Sequence, residues 1–351
     1  MSVDATRLEE LLGKMVNDMG AAAVAPLVII GDKLGLYRSL ASDGPLTTEE
    51  LADQTRTTER YVREWCAAQA GSGYIDYDPE TAKFKMSPEQ VAVFADENSP
   101  TCMTGGYYGI SSMFIDEPKV THAFQSGEGV GWGDHSECLF CGTEKFFRPS
   151  YMASLVNDWL PALDGVSQKL EAGAKVADVG CGHGASTVVM ARAFPKSTFI
   201  GFDFHEPSVT RANEVAKEAG LDNLRFEMGA AKHYSGSDYD LVAFFDCLHD
   251  MGDPVGAMAH SLKALKPDGT LMLVEPFAND ELVDNLNPVG RMFYSFSTMV
   301  CTPASISQEV GLALGAQAGE KRLRDVVTEG GFTRFRRAAE TPFNLILEGR
   351  P

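Results

Sequence analysis

Residues 176–186 read VADVGCGHGAS, with Gly180, Gly182 and Gly184 at alternate positions behind Asp178. A glycine-rich turn after a strand lets a ligand lie against the backbone. At the carboxyl ends of parallel strands such a turn marks a nucleotide-type site. Gly180, Gly182 and Ala185 also satisfy the relaxed dinucleotide fingerprint G-x-G-x-x-[GA]. Charge separates the readings. Beside a pyrophosphate, the Asp178 carboxylate would meet like charge in a partly desolvated site, which is unfavourable. A cofactor with a cationic head reverses the sign. S-adenosylmethionine (SAM) carries an ammonium and a sulfonium and no phosphate, so Asp178 favours SAM over NAD or FAD.

Three more strand ends bear on the same crevice. Asp203 closes the second strand, 19 residues beyond Gly184, where a carboxylate can accept from both ribose hydroxyls. Ribose is common to both cofactor classes, and an aspartate at a strand–helix junction can also simply cap the helix. Phe204 follows and can pack on adenine, and Gly229-Ala230 at the end of the third strand would admit the base. Asp246 ends the fourth strand, beside the expected methionine moiety.

These residues require alternating strands and helices. Strands are expected at 175–180, 197–203, 223–229, 238–246 and 270–277, separated by helices, with two closing strands in TRFRRAAE and FNLILEG. Continuous apolar strands between helices predict a Rossmann-like, doubly wound seven-stranded sheet, its last strand antiparallel in a closing hairpin.

The N-terminal part reads differently. TTEELADQT carries a capping box from Thr47 to Glu50, and Ser87-Pro88-Glu89-Gln90 opens a further helix. The helix around TERYVREWCAAQAGSGYI is followed by two short strands in IDYDPETAKFKMS. Three helices and a β-turn-β unit form the winged-helix pattern, which often binds DNA. From Thr47 to Lys85 there are eight acidic and five basic residues, and Glu59 and Glu64 offset Arg60 and Arg63. A module that relies on phosphate contacts should be more basic, so a dimerisation or lid role is favoured. The expected division is a winged-helix domain over 1–100, connecting helices and a lid segment over 101–165, and a SAM-binding domain over 166–351.

The assembled motifs, VADVGCGHG, FIGFD, FFDCLHDMGDP and LKPDGTLMLVEPF, resemble those of class I SAM-dependent methyltransferases. With the winged helix, the chain is similar to small-molecule O-methyltransferases of plants and bacteria. It resembles more closely an actinobacterial two-domain group sometimes labelled transcriptional regulators. The resemblance implies SAM as cofactor and S-adenosylhomocysteine as product. It implies a homodimer formed through the N-terminal domain, and a general base from the His-Asp pair after the fourth strand, here His249-Asp250. Histidine suits that role near neutral pH. Glu275, in VEPF, would orient His249 or contact the acceptor. Related enzymes often carry HDW where this chain has Met251, a departure that bears on acceptor shape.

Trp132, Phe147, Tyr151, Asn287, Arg291 and Tyr294 are candidate lining residues for the acceptor pocket. HSECLFC groups His135, Cys138 and Cys141, but one Cys pair without a matching pair is too few ligands for structural zinc, so no metal is expected. A formal charge of −19 disfavours nucleic acid and anionic membranes as partners. The apolar run at 21–30 is short for a bilayer and contains Pro26. Seven cysteines without a disulfide rhythm indicate the cytoplasm. The expected partner is a small-molecule methyl acceptor. Two readings compete: a winged-helix regulator with a SAM-sensing domain, and a SAM-fold enzyme of non-methylating chemistry.

Overall fold

The computed structural model describes residues 3–351. They form two compact units, one of residues up to Ser111 with Cys141–Pro149, the other of Ser112–Phe140 with Ser150–Pro351. The segment expected to connect two domains is therefore shared between the units rather than standing alone.

The first unit begins with α1 (Ala5–Leu34) and continues through α2 (Leu36–Asp43), α3 (Thr48–Thr55) and α4 (Glu59–Gly71). The antiparallel wing β1 (Asp76–Asp78) and β2 (Lys83–Lys85) and the helix α5 (Pro88–Phe94) follow. Gly35, in the left-handed region, ends α1 and starts α2, splitting the amphipathic stretch 31–41. Both capping boxes form, Thr47 with Glu50 and Ser87 with Gln90. Tyr37, Leu40, Leu51, Val62, Trp65 and Ile75 make the core, and the buried Tyr37 hydroxyl donates to Gln69 at 2.7 Å. Full burial of each large apolar side chain stabilises the unit by about 1.5–3 kcal/mol.

Only the second half of α1 joins that core, through Val24, Val28 and the partly buried Leu27. Its first half exposes Leu8, Leu11, Leu12, Met15, Val16 and Met19. The apolar run at 21–30 is thus part of a 30-residue helix that is long and apolar enough to cross a membrane, by length and composition alone.

On α4, Arg60 pairs with Glu64 at 2.6 Å and Arg63 with Glu59 at 2.8 Å. The arginines that would reach phosphates are engaged by their own helix.

The chain next forms α6 (Thr104–Ser126), α7 (Glu137–Ser150), a π-helical stretch Tyr151–Trp159 and α8 (Val166–Ala172). In the second unit, β3 (Lys175–Val179), α9 (Ala185–Ala193), β4 (Thr198–Asp203), α10 (Glu206–Ala219), β5 (Leu224–Met228) and β6 (Tyr239–Phe245) alternate. Then come α11 (Pro254–Ala264), β7 (Leu265–Pro276), α12 (Pro288–Phe296), α13 (Thr302–Ile306), α14 (Gly319–Glu329), β8 (Arg334–Glu340) and β9 (Asn344–Arg350). The sheet order is β5-β4-β3-β6-β7-β9-β8, with β9 antiparallel to both neighbours. Strand β7 starts at Leu265, so the segment LKPDG, expected to end the preceding helix, is already strand.

The chain order reverses between β3 and β6, and in such sheets the ligand crevice opens at that switch point, at the carboxyl ends of the strands. β3 carries Asp178 to that edge and β6 carries Asp246. Strands β3, β4, β6 and β9 are buried almost throughout, as expected of strands covered on both faces. Edge strand β8 instead exposes Arg334 and Arg337, charges that discourage pairing with another sheet.

Candidate active site

The loop after β3 is shaped by packing on one side and left open on another. Gly184 has φ 82°, and a Cβ there would lie 2.3 Å from the Phe226 ring. Gly182 has φ 52°, but a Cβ there would meet nothing within 4 Å. Gly184 is therefore required by the turn, whereas Gly182 leaves a clear approach to the backbone. The Gly182 N–H donates to Asp203 Oδ2 at 2.9 Å, and the His205 N–H donates to Asp203 Oδ1 at 2.9 Å. Asp203 thus ties the glycine loop to the start of α10.

Asp178 is fully buried. Its Oδ2 accepts from the Ser186 and Thr187 hydroxyls at 2.7 and 2.6 Å, at the start of α9. Its Oδ1 has no hydrogen-bond partner among the described residues. Burial pushes the carboxyl up to about 6, against the pull of the two hydroxyls. Beyond the ends of β4 and β5, Phe204 and Met228 are each 53% exposed, with Ala230 exposed and Gly229 half-buried beside them. An unused buried acceptor, an open glycine backbone and bare apolar surface fit an ammonium-bearing nucleoside.

One prediction arises here. An ammonium partner needs Asp178 ionised, and below about pH 6 the free protein holds it neutral. SAM affinity should therefore fall up to about tenfold per pH unit below that value, while staying level between about pH 7 and 8. Calorimetry across this range checks it, and an affinity unchanged down to about pH 5 rejects the contact.

Across the crevice, Asp246 takes a left-handed backbone, φ 51°. Its Oδ2 accepts from the Tyr151 hydroxyl and its Oδ1 from Asn344 Nδ2, both at 2.9 Å. Burial, reinforced by the nearby Glu275 charge, pushes this carboxyl up to about 8. A short 3-10 turn, Leu248–Asp250, follows. Glu275 Oε1 accepts from the Leu248 N–H at 3.0 Å, and Glu275 Oε2 lies 2.6 Å from His249 Nδ1. Nδ1 therefore carries the hydrogen, and Nε2 faces Asp250 Oδ1 at 3.2 Å. His249 is 4% exposed. Burial alone would lower its pKa, but the Asp250 and Glu275 carboxylates outweigh it and hold the imidazole well above the usual range.

The expected acceptor-lining residues divide. Tyr151 reaches Asp246 as above. Trp132 packs edge-on against Phe140, which lies over His205 at 4.8 Å. Asn287 caps α12, accepting from the Gly290 N–H at 2.9 Å and donating to the Asp284 carbonyl. Arg291 lies exposed and Tyr294 half-buried on α12. Phe147 belongs to the first unit and packs on Phe146. Of the HSECLFC segment, Cys138 is half-buried and Cys141 exposed on α7. The buried His135 faces Asp116 at 3.3 Å.

Ser186, Thr187 and Asn344 were not singled out from the sequence. The first two have a local signal, paired hydroxyls at a helix start just past a glycine loop. Asn344 has none, because only the β7–β9 register, Pro276 opposite Asn344, brings it to Asp246.

Comparison with known proteins decides the family. A family described as "Methyltransferase domain" matches residues 170–331, and one described as "Rv2258c-like winged HTH domain" matches residues 22–95. The tRNA (guanine-N(7)-)-methyltransferase of Halorhodospira halophila is 30% identical over 183 residues, 51% of this chain and 71% of that protein. The chain belongs to the SAM-dependent methyltransferases. This methyltransferase is also similar to trans-aconitate 2-methyltransferase of Deinococcus radiodurans, 35% identical over 107 residues, 30% of this chain and 40% of that enzyme. It spans less than half the length of the first curated relatives it matches. Human N-acetylserotonin methyltransferase, solved with SAM, shares the fold at a TM-score of 0.68 and 17% identity, over 100% of this chain and 99% of that one. The donor of the family is SAM, which the Asp178 and Asp203 arrangement fits.

Proposed function

We propose that this methyltransferase carries the methyl group of SAM to a hydroxyl oxygen of a small molecule, releasing S-adenosylhomocysteine, with His249 as general base. One observation carries the reading: a buried histidine at the switch-point crevice, its Nδ1 held by Glu275 at 2.6 Å so that Nε2 is the atom able to take a proton. When bound, SAM supplies an electrophilic methyl group on a positively charged sulfur. Glu275 fixes the tautomer and ring angle, and Asp250 stabilises the imidazolium that forms. Trp132 and Tyr294 are suited to lining the acceptor side, and Tyr151 to holding Asp246 in its strained conformation.

The test is an incubation with methyl-labelled SAM and two acceptor pools, a small-metabolite extract and bulk tRNA. Label should enter the small-molecule fraction in an alkali-stable ether linkage. Label confined to tRNA would overturn the reading. A charge of −19 supports the small molecule, because a macromolecular anion must be drawn through that field. The winged helix favours a second reading, a DNA-binding regulator, and the self-paired Arg60 and Arg63 weigh against it.

A homodimer through α1 belongs to the same proposal. Leu8, Leu12, Met15 and Met19 are exposed at 4-3-4 spacing, which is a coiled-coil seam suited to a second copy of the same helix. Met15→Glu should halve the mass seen by light scattering, and an unchanged mass removes α1 from the interface. Seven free thiols suit a reducing cytoplasm.

A further inference from the structure

His135 and Ser136 carry polar atoms that the fold does not use. His135 Nε2, on a side chain 1% exposed, and Ser136 Oγ are both buried without a hydrogen-bond partner among the described residues. One carboxylate holds the pair from behind. Asp116 Oδ2 lies 3.3 Å from His135 Nδ1 and accepts from the Ser136 N–H at 2.8 Å. Lys119 Nζ, 2.7 Å from Asp116 Oδ1, balances its charge. A carboxylate only accepts, so Nδ1 carries the hydrogen and Nε2 is left as a lone pair. Ser136 immediately precedes α7, where a serine oxygen ordinarily accepts from the first N–H groups of the helix. Here it does not. Leaving two such atoms buried and unmade is unfavourable, and a ligand that completes both relieves the cost.

Packing ties this pair to the wall of the crevice that holds His249. Trp132 and Leu139, on either side of His135 in the chain, belong to one apolar cluster with Phe293, Val300 and Cys301. The Val130 N–H donates to the Pro303 carbonyl at 3.0 Å. Cys301 Sγ in turn lies within 4.8 Å of His249 Nε2. Segment 130–139 is thus packed on the stretch 293–303, which closes against the base. Charge limits what can bind there. Asp116 stands behind His135, and Asp250 and Glu275 flank His249. An anionic group would meet like charge at either end. A neutral hydroxyl suits both unused atoms, because it donates to Nε2 and accepts from the serine O–H.

We propose that His135 and Ser136, oriented by Asp116, form a second polar subsite of the acceptor crevice, which takes a neutral hydroxyl other than the one that is methylated. The acceptor is then a molecule with at least two hydroxyl groups, one at His249 and one at His135, joined by an apolar body. The inference rests on the reading of this crevice as the acceptor's. His135 is here a specificity-determining residue: it touches the acceptor away from the reacting oxygen and takes no proton from it.

The test reads binding, not turnover, on the full-length chain loaded with S-adenosylhomocysteine. Catechol, resorcinol and hydroquinone, which space two hydroxyls differently, are titrated against phenol by ligand-observed NMR. The best-spaced diol should bind about 10–100-fold more tightly than phenol. His135→Phe keeps a planar ring but loses the lone pair. It should erase that preference while holding phenol affinity within about twofold, a split that a purely structural histidine would not produce. Ser136→Ala should weaken diol binding by about threefold or more, and it decides the matter should His135→Phe fail to fold. A wild type with no preference for any diol, or a preference kept in the folded variants, would overturn the subsite. A preference lost as expected, in a protein that never labels a hydroxyl from SAM, would keep the subsite and refute the O-methylation reading.

Discussion

His249→Ala should bind SAM within about twofold of the wild-type affinity and lose turnover by about 10²–10⁴-fold, the range general base catalysis supplies. The two effects separate because His249 and the cofactor loop stand on different strand ends. Asp178, Gly182 and Asp203 follow β3 and β4, whereas His249 follows β6 and is braced by β7 through Glu275. The charge state adds a signature. Burial disfavours the imidazolium, yet Asp250 and Glu275 hold the pKa well above the ordinary histidine value. The base form therefore accumulates only above the ordinary histidine range, and wild-type turnover should climb with pH there. The stability linkage has the opposite direction. A raised folded-state pKa contributes stability that is complete below the unfolded histidine value and lost as pH rises through the folded one. The enzyme should thus gain rate and lose stability over one pH window. His249→Ala should lack both trends. An unchanged rate in the variant, in cofactor-saturated assays, rejects the base.

The parts of this architecture set by local chemistry were legible in the sequence. Alternating apolar strands and helices specify a parallel sheet, and a glycine loop with aspartates at consecutive strand ends places the crevice. The two capping boxes are written within four residues each, and both form. What the sequence hid depends on register and on contacts distant in the chain. Asn344 reaches Asp246 only because β9 inserts between β7 and β8. His135 reads in sequence as a neighbour of Cys138 and Cys141, but its carboxylate partner Asp116 lies 19 residues earlier. Asn287 looks like a polar pocket residue, yet asparagine before a proline-led helix is also a strong N-cap, and the cap won. Asp178 was legible as a carboxylate near a cation; its twin hydroxyl contacts, which leave a single acceptor atom unused, were not.

Asp203→Ala should abolish the stabilisation that SAM gives to the wild-type chain. The carboxylate is buried, and burial raises its pKa even though the His205 and Gly182 N–H groups favour the charged form. Such a group contributes stability below its unfolded pKa and loses it as pH rises through the folded value. At neutral pH the ionised side chain is thus held against its own desolvation, and stability alone does not account for it. Its two backbone bonds instead fix the loop where Gly182 opens to the ligand. Each oxygen keeps a lone pair for a ribose hydroxyl. Two charge-assisted hydrogen bonds at about 1.5–3 kcal/mol each correspond to an affinity loss of roughly 10²–10⁴-fold. Without SAM, the variant should keep its secondary structure, because relief of the buried charge offsets the two lost backbone bonds. With saturating SAM, wild-type Tm should rise as mass action requires, and that of the variant should not. Asp203→Asn, which retains one acceptor oxygen, should fall between them. A variant that still gains Tm with SAM would remove Asp203 from the cofactor site and leave it as the clasp of the loop.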